Sequence, residues 1–300
     1  MRVLISGATG LIGGALARTL VAQGNECWGL SRRARQPDAT FARWFAWDTL
    51  GQPLPAEALE GVDAVVHLAG EPVGEGRWND EKKKRIRDSR VEGTRAMVNA
   101  MRASSQRPAV FVSASATGFY GDRGDELLRE DAPPGSTFLA EVCTAWEHAS
   151  APAAELGIRL VQPRIGIVLA REGGMFPKAV LPFKLGLGGR LGPGTQYFPW
   201  IHIDDVVGIL QFALANVALH GPVNLVAPHP VTNRELTETL ARTLHRPAFM
   251  AVPQFALDVM LGELGKATVE SVRASAEKIT GLGYAFSHPV LGPALLSLVG

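Results

Sequence analysis

Short apolar runs alternate with amphipathic stretches over the first 165 residues of the chain. Val3 to Ser6, Glu26 to Leu30, Arg43 to Trp47, Ala64 to Leu68, Val110 to Ser113 and Arg159 to Ile165 read as strands, and helices fall between most of them. Strand and helix patterns in alternation predict βα units and a parallel sheet. In the first helix, Leu11, Ile12, Ala15, Leu16, Ala17 and Leu20 recur at a spacing that lays one apolar stripe against that sheet.

After Ile165 the texture changes. Residues 171–199 are rich in Gly and Pro and contain Leu185-Gly-Leu-Gly-Gly-Arg-Leu-Gly-Pro-Gly194, which predicts a long loop over a site. Order returns with Trp200 to Asp205 and an apolar helix from Val206 to Leu219, and a smaller module begins at Gly221. In that module Thr232 reads as an N-cap with Glu235 completing a capping box, and a second helical stretch follows Pro253. There is no internal repeat and no low-complexity segment. These boundaries divide the chain into a nucleotide-binding domain, 1–169 with 200–220 returning to it, and a substrate lobe, 170–199 with 221–300.

The segment that carries most chemistry is Gly7-Ala-Thr-Gly10-Leu-Ile-Gly13, between the first strand and the first helix. Glycines there permit a tight turn and close approach of the backbone, so that Thr9, Leu11 and Ile12 can seat a pyrophosphate on the amides of the helix N-terminus. A second strand that ends in Asp or Glu would hold the ribose hydroxyls of NAD. This one ends in Ser31-Arg32-Arg33. A carboxylate repels a 2'-phosphate and guanidinium groups bind it, so the run predicts NADP(H). Asp48, after the third strand, reads as a contact to the adenine edge or as an ordinary strand-end aspartate. Together these features predict an α/β fold, a doubly wound parallel sheet of the Rossmann type with a small C-terminal lobe.

Composition adds mainly exclusions. With 46% hydrophobic and 20% charged residues and a formal net charge of +1, nothing demands a polyanionic partner. Lys82-Lys-Lys-Arg85 with Arg87 and Arg90 is interrupted by Asp80, Glu81, Asp88 and Glu92, so it reads as a solvated helix face and no nucleic-acid partner is expected. The apolar start is too short for a signal-peptide core, no later apolar run reaches the length of a membrane span, and the expected location is the cytoplasm. Cys27 and Cys143 are the only cysteines and read as core thiols, which argues against a disulfide framework or a thiolate metal centre; no metal site is expected. Oligomeric state and substrate identity are not specified at this level.

Further along, His67-Leu-Ala-Gly70, Val91-Glu-Gly-Thr94, Ser113-Ala-Ser-Ala-Thr117, Tyr120-Gly121 and Trp200-Ile-His-Ile-Asp-Asp205 follow one another. The chain thereby resembles the extended short-chain dehydrogenases of the NAD(P)-dependent epimerase/dehydratase type. More narrowly, Leu68-Ala-Gly-Glu-Pro72 with Arg77-Trp78, Ala116 to Asp122 and Pro182 to Gly189 resemble an atypical epimerase-like subgroup, often labelled cell-division inhibitor-like, whose members end in a small uncharacterised domain. The resemblance implies that Leu68, Ala69, Gly70 and Arg90 lie against the cofactor. Glu71, Trp78, Lys184, Trp200 and His202 are the candidate substrate residues: Trp78 and Trp200 read as pocket wall, Lys184 as an anion contact in the loop or a surface charge, and His202 as a base or a hydrogen-bonded structural histidine.

One part of the family's pattern is missing. Extended short-chain dehydrogenases use a Tyr-x-x-x-Lys pair as proton donor, with a serine that orients the substrate oxygen. The only tyrosines here are Tyr120, Tyr197 and Tyr284, followed four residues later by Gly124, Ile201 and His288, and no lysine lies between Lys84 and Lys178. Ser115 is the candidate serine. Tyr120, after the fifth strand, and Glu141, on the helix that should carry the pair, are the candidate substitute acids, each set against a structural tyrosine and a solvated helix face. Two readings stay open: an enzyme with a reassigned proton donor, and a non-catalytic protein that binds NADP(H) and responds to it.

Overall fold

The computed structural model describes residues 1–299. Seven parallel strands form the central sheet: β1 (Arg2–Ser6), β2 (Glu26–Ser31), β3 (Arg43–Ala46), β4 (Ala64–His67), β5 (Val110–Ser113), β6 (Arg159–Ile165) and β7 (Gly221–Leu225). Their order is β3-β2-β1-β4-β5-β6-β7, and a short extension, Ser115–Ala116, runs beside the end of β6. The chain winds outward from β1 in both directions, which opens a crevice at the carboxyl ends of β1 and β4. There Ser6 is in register with Leu30 on one side and His67 on the other.

Successive strand residues point to opposite faces, and a parallel sheet covered on both faces needs apolar residues at nearly every position. One face packs Val3, Ile5, Val66, Val112 and Val161 against α1 (Leu11–Ala22) and the later helix Ile203–Ala215. The other packs Leu4, Val65 and Phe111 against Met97, Val98 and Met101 of α2 (Asp80–Ala103). Leu16 and Leu20 of α1 are fully buried in this way, each contributing about 1.5–3 kcal/mol.

Beyond the sheet come α3 (Phe138–Ser150), α4 (Phe176–Lys184), α5 (Ile203–Ala215), α6 (Asn233–Leu244), α7 (Gln254–Leu261) and α8 (Leu291–Val299). A separate core of Phe176, Phe183, Trp200, Leu240 and Leu295 holds the lobe together. The capping box on α6 is formed, with the Thr232 hydroxyl accepting from the Glu235 amide and the Glu235 carboxylate accepting from the Thr232 amide. Among the described residues no helix is long and apolar enough to cross a membrane.

Two sequence expectations change. Gly221–Leu225 does not open the lobe; it is the seventh strand, paired with β6 from Val161 to Ile165. Gly221-Pro222 reads as a breaker, but a proline is harmless on an edge strand, where its missing N–H faces no neighbour. Nor is 171–199 one long loop. It contains α4 and two short strands, Gly189–Leu191 and Tyr197–Phe198. Pro177 stands in the first turn of α4, where proline is preorganised for helix and costs no hydrogen bond.

Candidate cofactor and active site

The glycine loop closes as a tight turn in which the Gly10 amide donates to the Gly7 carbonyl at 2.9 Å. Gly7 has φ +68°, and a Cβ there would stand 2.9 Å from the Leu68 carbonyl carbon. A Cβ on Gly13 would meet the Gly7 carbonyl oxygen at 2.4 Å, so this turn admits only glycine at both places. Gly10 caps α1 without a side-chain hydrogen bond. By contrast Asn79, Thr137, His202 and Thr232 each cap their helices with a side-chain acceptor. The first-turn amides of α1, at Leu11, Ile12 and Gly13, are left facing outward with the positive end of the helix dipole.

Beside this turn is a cavity of about 450 Å³ lined by Thr9, Gly10, Arg18, Arg35, Phe41 and Trp44, among others. The Arg35 guanidinium lies 5.3 Å from the Trp44 ring, which packs 4.3 Å from Phe41. Trp44 reaches this wall by crossing Gly29 of β2, where a Cβ would stand 2.4 Å from the indole. The Asp38 carboxylate accepts the Thr40 and Phe41 amides, which holds its pKa low and fixes the loop. Arg32 and Arg33 are exposed and do not line this cavity. The arginines that do are Arg35, from the same basic run, and Arg18, which sequence reasoning passed over although it lies on α1, shortly after the glycine loop. The Ser31 hydroxyl is spent on the Arg33 carbonyl, and Asp48 closes a turn by accepting the Leu50 amide at 3.0 Å.

At the end of β4 the Ser6 hydroxyl accepts the Leu68 and Ala69 amides at 3.1 and 3.2 Å, so its own proton goes to His67 Nδ1, 2.6 Å away. His67 is fully buried, is therefore the Nε2–H tautomer, and burial pushes its pKa down to about 4. Gly70 lies against Arg90: a Cβ would be 3.0 Å from the guanidinium carbon. Arg90 donates to the Glu71 and Ile86 carbonyls, and its guanidinium covers the Trp146 ring at 5.1 Å. The Glu71 carboxylate accepts from Lys82 at 2.7 Å, which holds its pKa low. Trp78 donates to the Val73 carbonyl and meets Phe138, at the start of α3, edge to face at 5.3 Å. Gly70, Arg90, Glu71, Trp78 and Phe138 thus gather at one end of the crevice.

On α3, where the family carries its Tyr and Lys, the inward residues are Ala140, Val142, Cys143, Trp146 and Glu147. Burial pushes the Cys143 thiol up to about 11, against the opposing effect of Arg90. Glu147 anchors a network that sequence reasoning missed. Its carboxylate accepts from Ser115 Oγ at 2.7 Å and, as a two-pronged pair, from Arg164 Nε at 2.8 Å and Nη2 at 2.9 Å. Arg164 Nη1 then donates to the Tyr120 hydroxyl at 3.0 Å, which lies 2.7 Å from Asn224 Oδ1. Tyr120 and Asn224 are fully buried and Ser115 is nearly so. Burial raises the Tyr120 pKa although Arg164 pulls the other way. In this network Ser115, Glu147, Arg164, Tyr120 and Asn224 all find partners inside the protein, the geometry of structural residues. Glu141 is on the exposed face of α3. The available signal was a charged Arg164 inside the otherwise uncharged strand segment Leu160 to Ile165, because an arginine in a buried strand requires a buried partner.

The lobe residues do not join this group. Trp200 packs in the lobe core, its strand, Trp200–His202, pairing with Ile167–Leu169 beneath α6 and α8. Lys184 is exposed in the last turn of α4. His202 is buried and caps α5 by accepting the Asp204 amide at 3.1 Å.

Residues 3–226 match the model of the NAD dependent epimerase/dehydratase family. The chain belongs to that family. Residues 252–298 match a domain of unknown function, DUF1731. Human epimerase family protein SDR39U1 is 37% identical over 303 residues, covering all of both chains, and an epimerase family protein of Mycobacterium tuberculosis is 37% identical over 294 residues, covering 98% of this chain and 96% of that one. The crystal structure of human SDR39U1 (isoform 2) with NADPH superposes with a TM-score of 0.89 at 36% identity over 99% of each chain. A nucleoside-diphosphate sugar epimerase from Corynebacterium glutamicum superposes with a TM-score of 0.82 at 37% identity, over all of this chain and 58% of that one.

Proposed function

We propose that this member of the epimerase/dehydratase family binds NADP(H) and acts as an oxidoreductase or epimerase-like protein on a small carbonyl or hydroxyl compound. The observation that carries the reading is the uncapped N-terminus of α1 opening on a cavity with two arginines. The human relative's NADPH-bound structure supports it. The residues fit the cofactor: Leu11, Ile12 and Gly13 amides for the pyrophosphate, Arg18 and Arg35 for the 2'-phosphate with Arg32 and Arg33 nearby, and Leu68 to Gly70 with Arg90 for the nicotinamide end. When bound, the nicotinamide supplies a carrier of hydride. Glu71 and Trp78 flank the end of the crevice where a substrate would meet it. The narrower label, cell-division inhibitor-like, rests on the quoted segments alone and brings no activity with it.

Ser115, as the catalytic serine, and Tyr120, as the substitute acid, remain the candidates from sequence, but both hydroxyls are engaged with Glu147, Arg164 and Asn224. That observation favours a second reading, a responder to NADP(H) that needs no proton donor. Titration with NADPH and NADH, followed by NADPH oxidation across a panel of carbonyl compounds, tests the first reading. Tighter binding of NADPH and turnover of at least one compound are expected, and equal weak binding of both nucleotides would overturn it. With an active compound in hand, Tyr120→Phe and Ser115→Ala decide the contacts: unchanged turnover in both removes them from catalysis. For the second reading, capture of the same partners with NADPH, NADP⁺ and no nucleotide would sink it.

A further inference from the structure

Away from the cofactor cavity, two imidazoles and a carboxylate converge where the C-terminal segment meets the first turn of α5. His202 ends its strand, Asp204 is the second residue of α5, and His288 arrives from the segment leading into α8. The joint is held by Asp205, fully buried, whose carboxylate accepts the Ser287 amide at 2.7 Å and the His288 amide at 3.0 Å. The two imidazole rings stack with centroids 3.7 Å apart. Asp204 Oδ2 stands 3.0 Å from His288 Nε2 and 3.4 Å from His202 Nδ1, and one ligand atom from each of the three residues lies within 4.8 Å of the others.

These separations have a chemical meaning. Two ligands that each stand about 2.0–2.1 Å from one tetrahedral zinc ion are roughly 3.3 Å from each other. The two nitrogen-to-oxygen distances bracket that value. The tautomer of His202 also suits a ligand. Ser297 Oγ donates to the Ala294 carbonyl at 2.8 Å, so it accepts from His202 Nε2, 3.3 Å away. The proton is then on Nε2 and the lone pair is on Nδ1, the atom that faces Asp204. A partner on the far ring nitrogen is the usual way an imidazole ligand is oriented.

We propose that His202 Nδ1, Asp204 Oδ2 and His288 Nε2 form a binding site for one divalent transition-metal ion of the zinc class, with water completing the coordination. Two imidazoles and one carboxylate select zinc, cobalt, nickel or copper over magnesium and calcium, which prefer oxygen alone. Binding requires the stacked rings to part. His288 is the ring that moves, because its side chain is 19% exposed while that of His202 is 4% exposed. The ion displaces the Asp204 amide from Nδ1 and ties the C-terminal segment to α5 directly, as a clasp on the lobe. It is independent of the cofactor reading, since none of its ligands lines the cavity beside α1.

The test uses the full chain stripped with a chelator and then titrated with Co²⁺ and Zn²⁺. One Co²⁺ per chain with visible bands of four- or five-coordinate geometry is expected, together with a rise in melting temperature on adding Zn²⁺. His288→Ala and Asp204→Asn should each weaken Zn²⁺ binding at least tenfold and abolish the rise. A substitution at His202 would also remove the α5 cap, so the test rests on the two outer ligands. NADPH titration of both variants checks that the fold is kept. Absence of Co²⁺ binding to the parent overturns the proposal and leaves a metal-free His288–Asp204 pair; parent-like binding in both variants overturns it as well.

Discussion

Two helix N-termini meet the crevice at the carboxyl edge of the sheet, and they treat polar groups in opposite ways. At α1 the cap is a glycine with no side-chain acceptor, and that glycine lines a cavity. At α3 the cap is the Thr137 hydroxyl, and along the helix the one buried charged side chain, Glu147, is locked to Arg164 and Ser115. Unsatisfied donors at a surface cavity are a binding device, whereas donors and acceptors that satisfy each other in the interior stabilise a fold. The comparison teaches that this chain keeps the half of the family's site that holds a dinucleotide. On the helix of the other half, where the chain has no Tyr-x-x-x-Lys, the buried carboxylate is held in an ion pair with Arg164.

The sharpest way to break the comparison is to strand one partner of that ion pair. Arg164→Met leaves the Glu147 carboxylate buried without its cation and should cost about 3–5 kcal/mol in denaturant unfolding. Arg164→Met with Glu147→Met should cost clearly less than the single change, because no uncompensated charge remains. A double variant as unstable as the single one would mean the pair is not structural.

His67 borders both regions and supplies a pH dependence. Its folded pKa of about 4 lies below its ordinary value of 6.5, so the neutral ring's contribution is complete above about pH 6.5 and is lost as pH falls toward 4. The full span is worth about 3 kcal/mol. His67→Asn keeps a partner for Ser6 and should flatten the fall in melting temperature between pH 6.5 and 4; parallel curves for parent and variant would exclude His67 as the source.

At the glycine loop, Gly13→Ala should weaken NADPH binding at least a hundredfold, because its Cβ has no room beneath the Gly7 carbonyl. Gly14→Ala places a Cβ 3.5 Å from the flexible end of Arg18 and should change affinity only a few-fold. Equal effects would show that the loop's packing does not govern binding. A smaller effect than at Gly13 is expected at the cavity rim. Arg35→Ala and Arg18→Ala should each cost NADPH about tenfold, roughly 1.4 kcal/mol, and leave NADH nearly unchanged. If Arg32→Ala and Arg33→Ala show that pattern instead, the 2'-phosphate lies outside the cavity described.

Much of this was legible in order along the chain. Six strands and α1 follow from apolar periodicity, and Gly7 to Gly13 declares its role through glycine between a strand and a helix. The basic run after β2 supplies one arginine that lines the cavity, Arg35, turned over Trp44, whereas Arg18 comes from α1 and has no signal in the run. Tyr120 after β5 looks like a site residue in sequence, and only its contacts with Arg164 and Asn224, 44 and 104 residues away, reveal it as buried structure. Asn224 could reach it because Gly221–Leu225 joins the sheet rather than opening the smaller module.

By itself the sequence determined what is local: the alternation of strands and helices, the glycine turn, the basic run, and the absence of any Tyr-x-x-x-Lys. Those features depend on backbone conformation and on residues a few positions apart. Tertiary structure alone decided which polar groups face a cavity and which face each other. Pairing between Ser115, Glu147, Arg164, Tyr120 and Asn224, or between His202, Asp204 and His288, depends on how strands and segments far apart in the chain are brought together. A hydroxyl or an imidazole has no fixed role until its partner is set within about 3 Å.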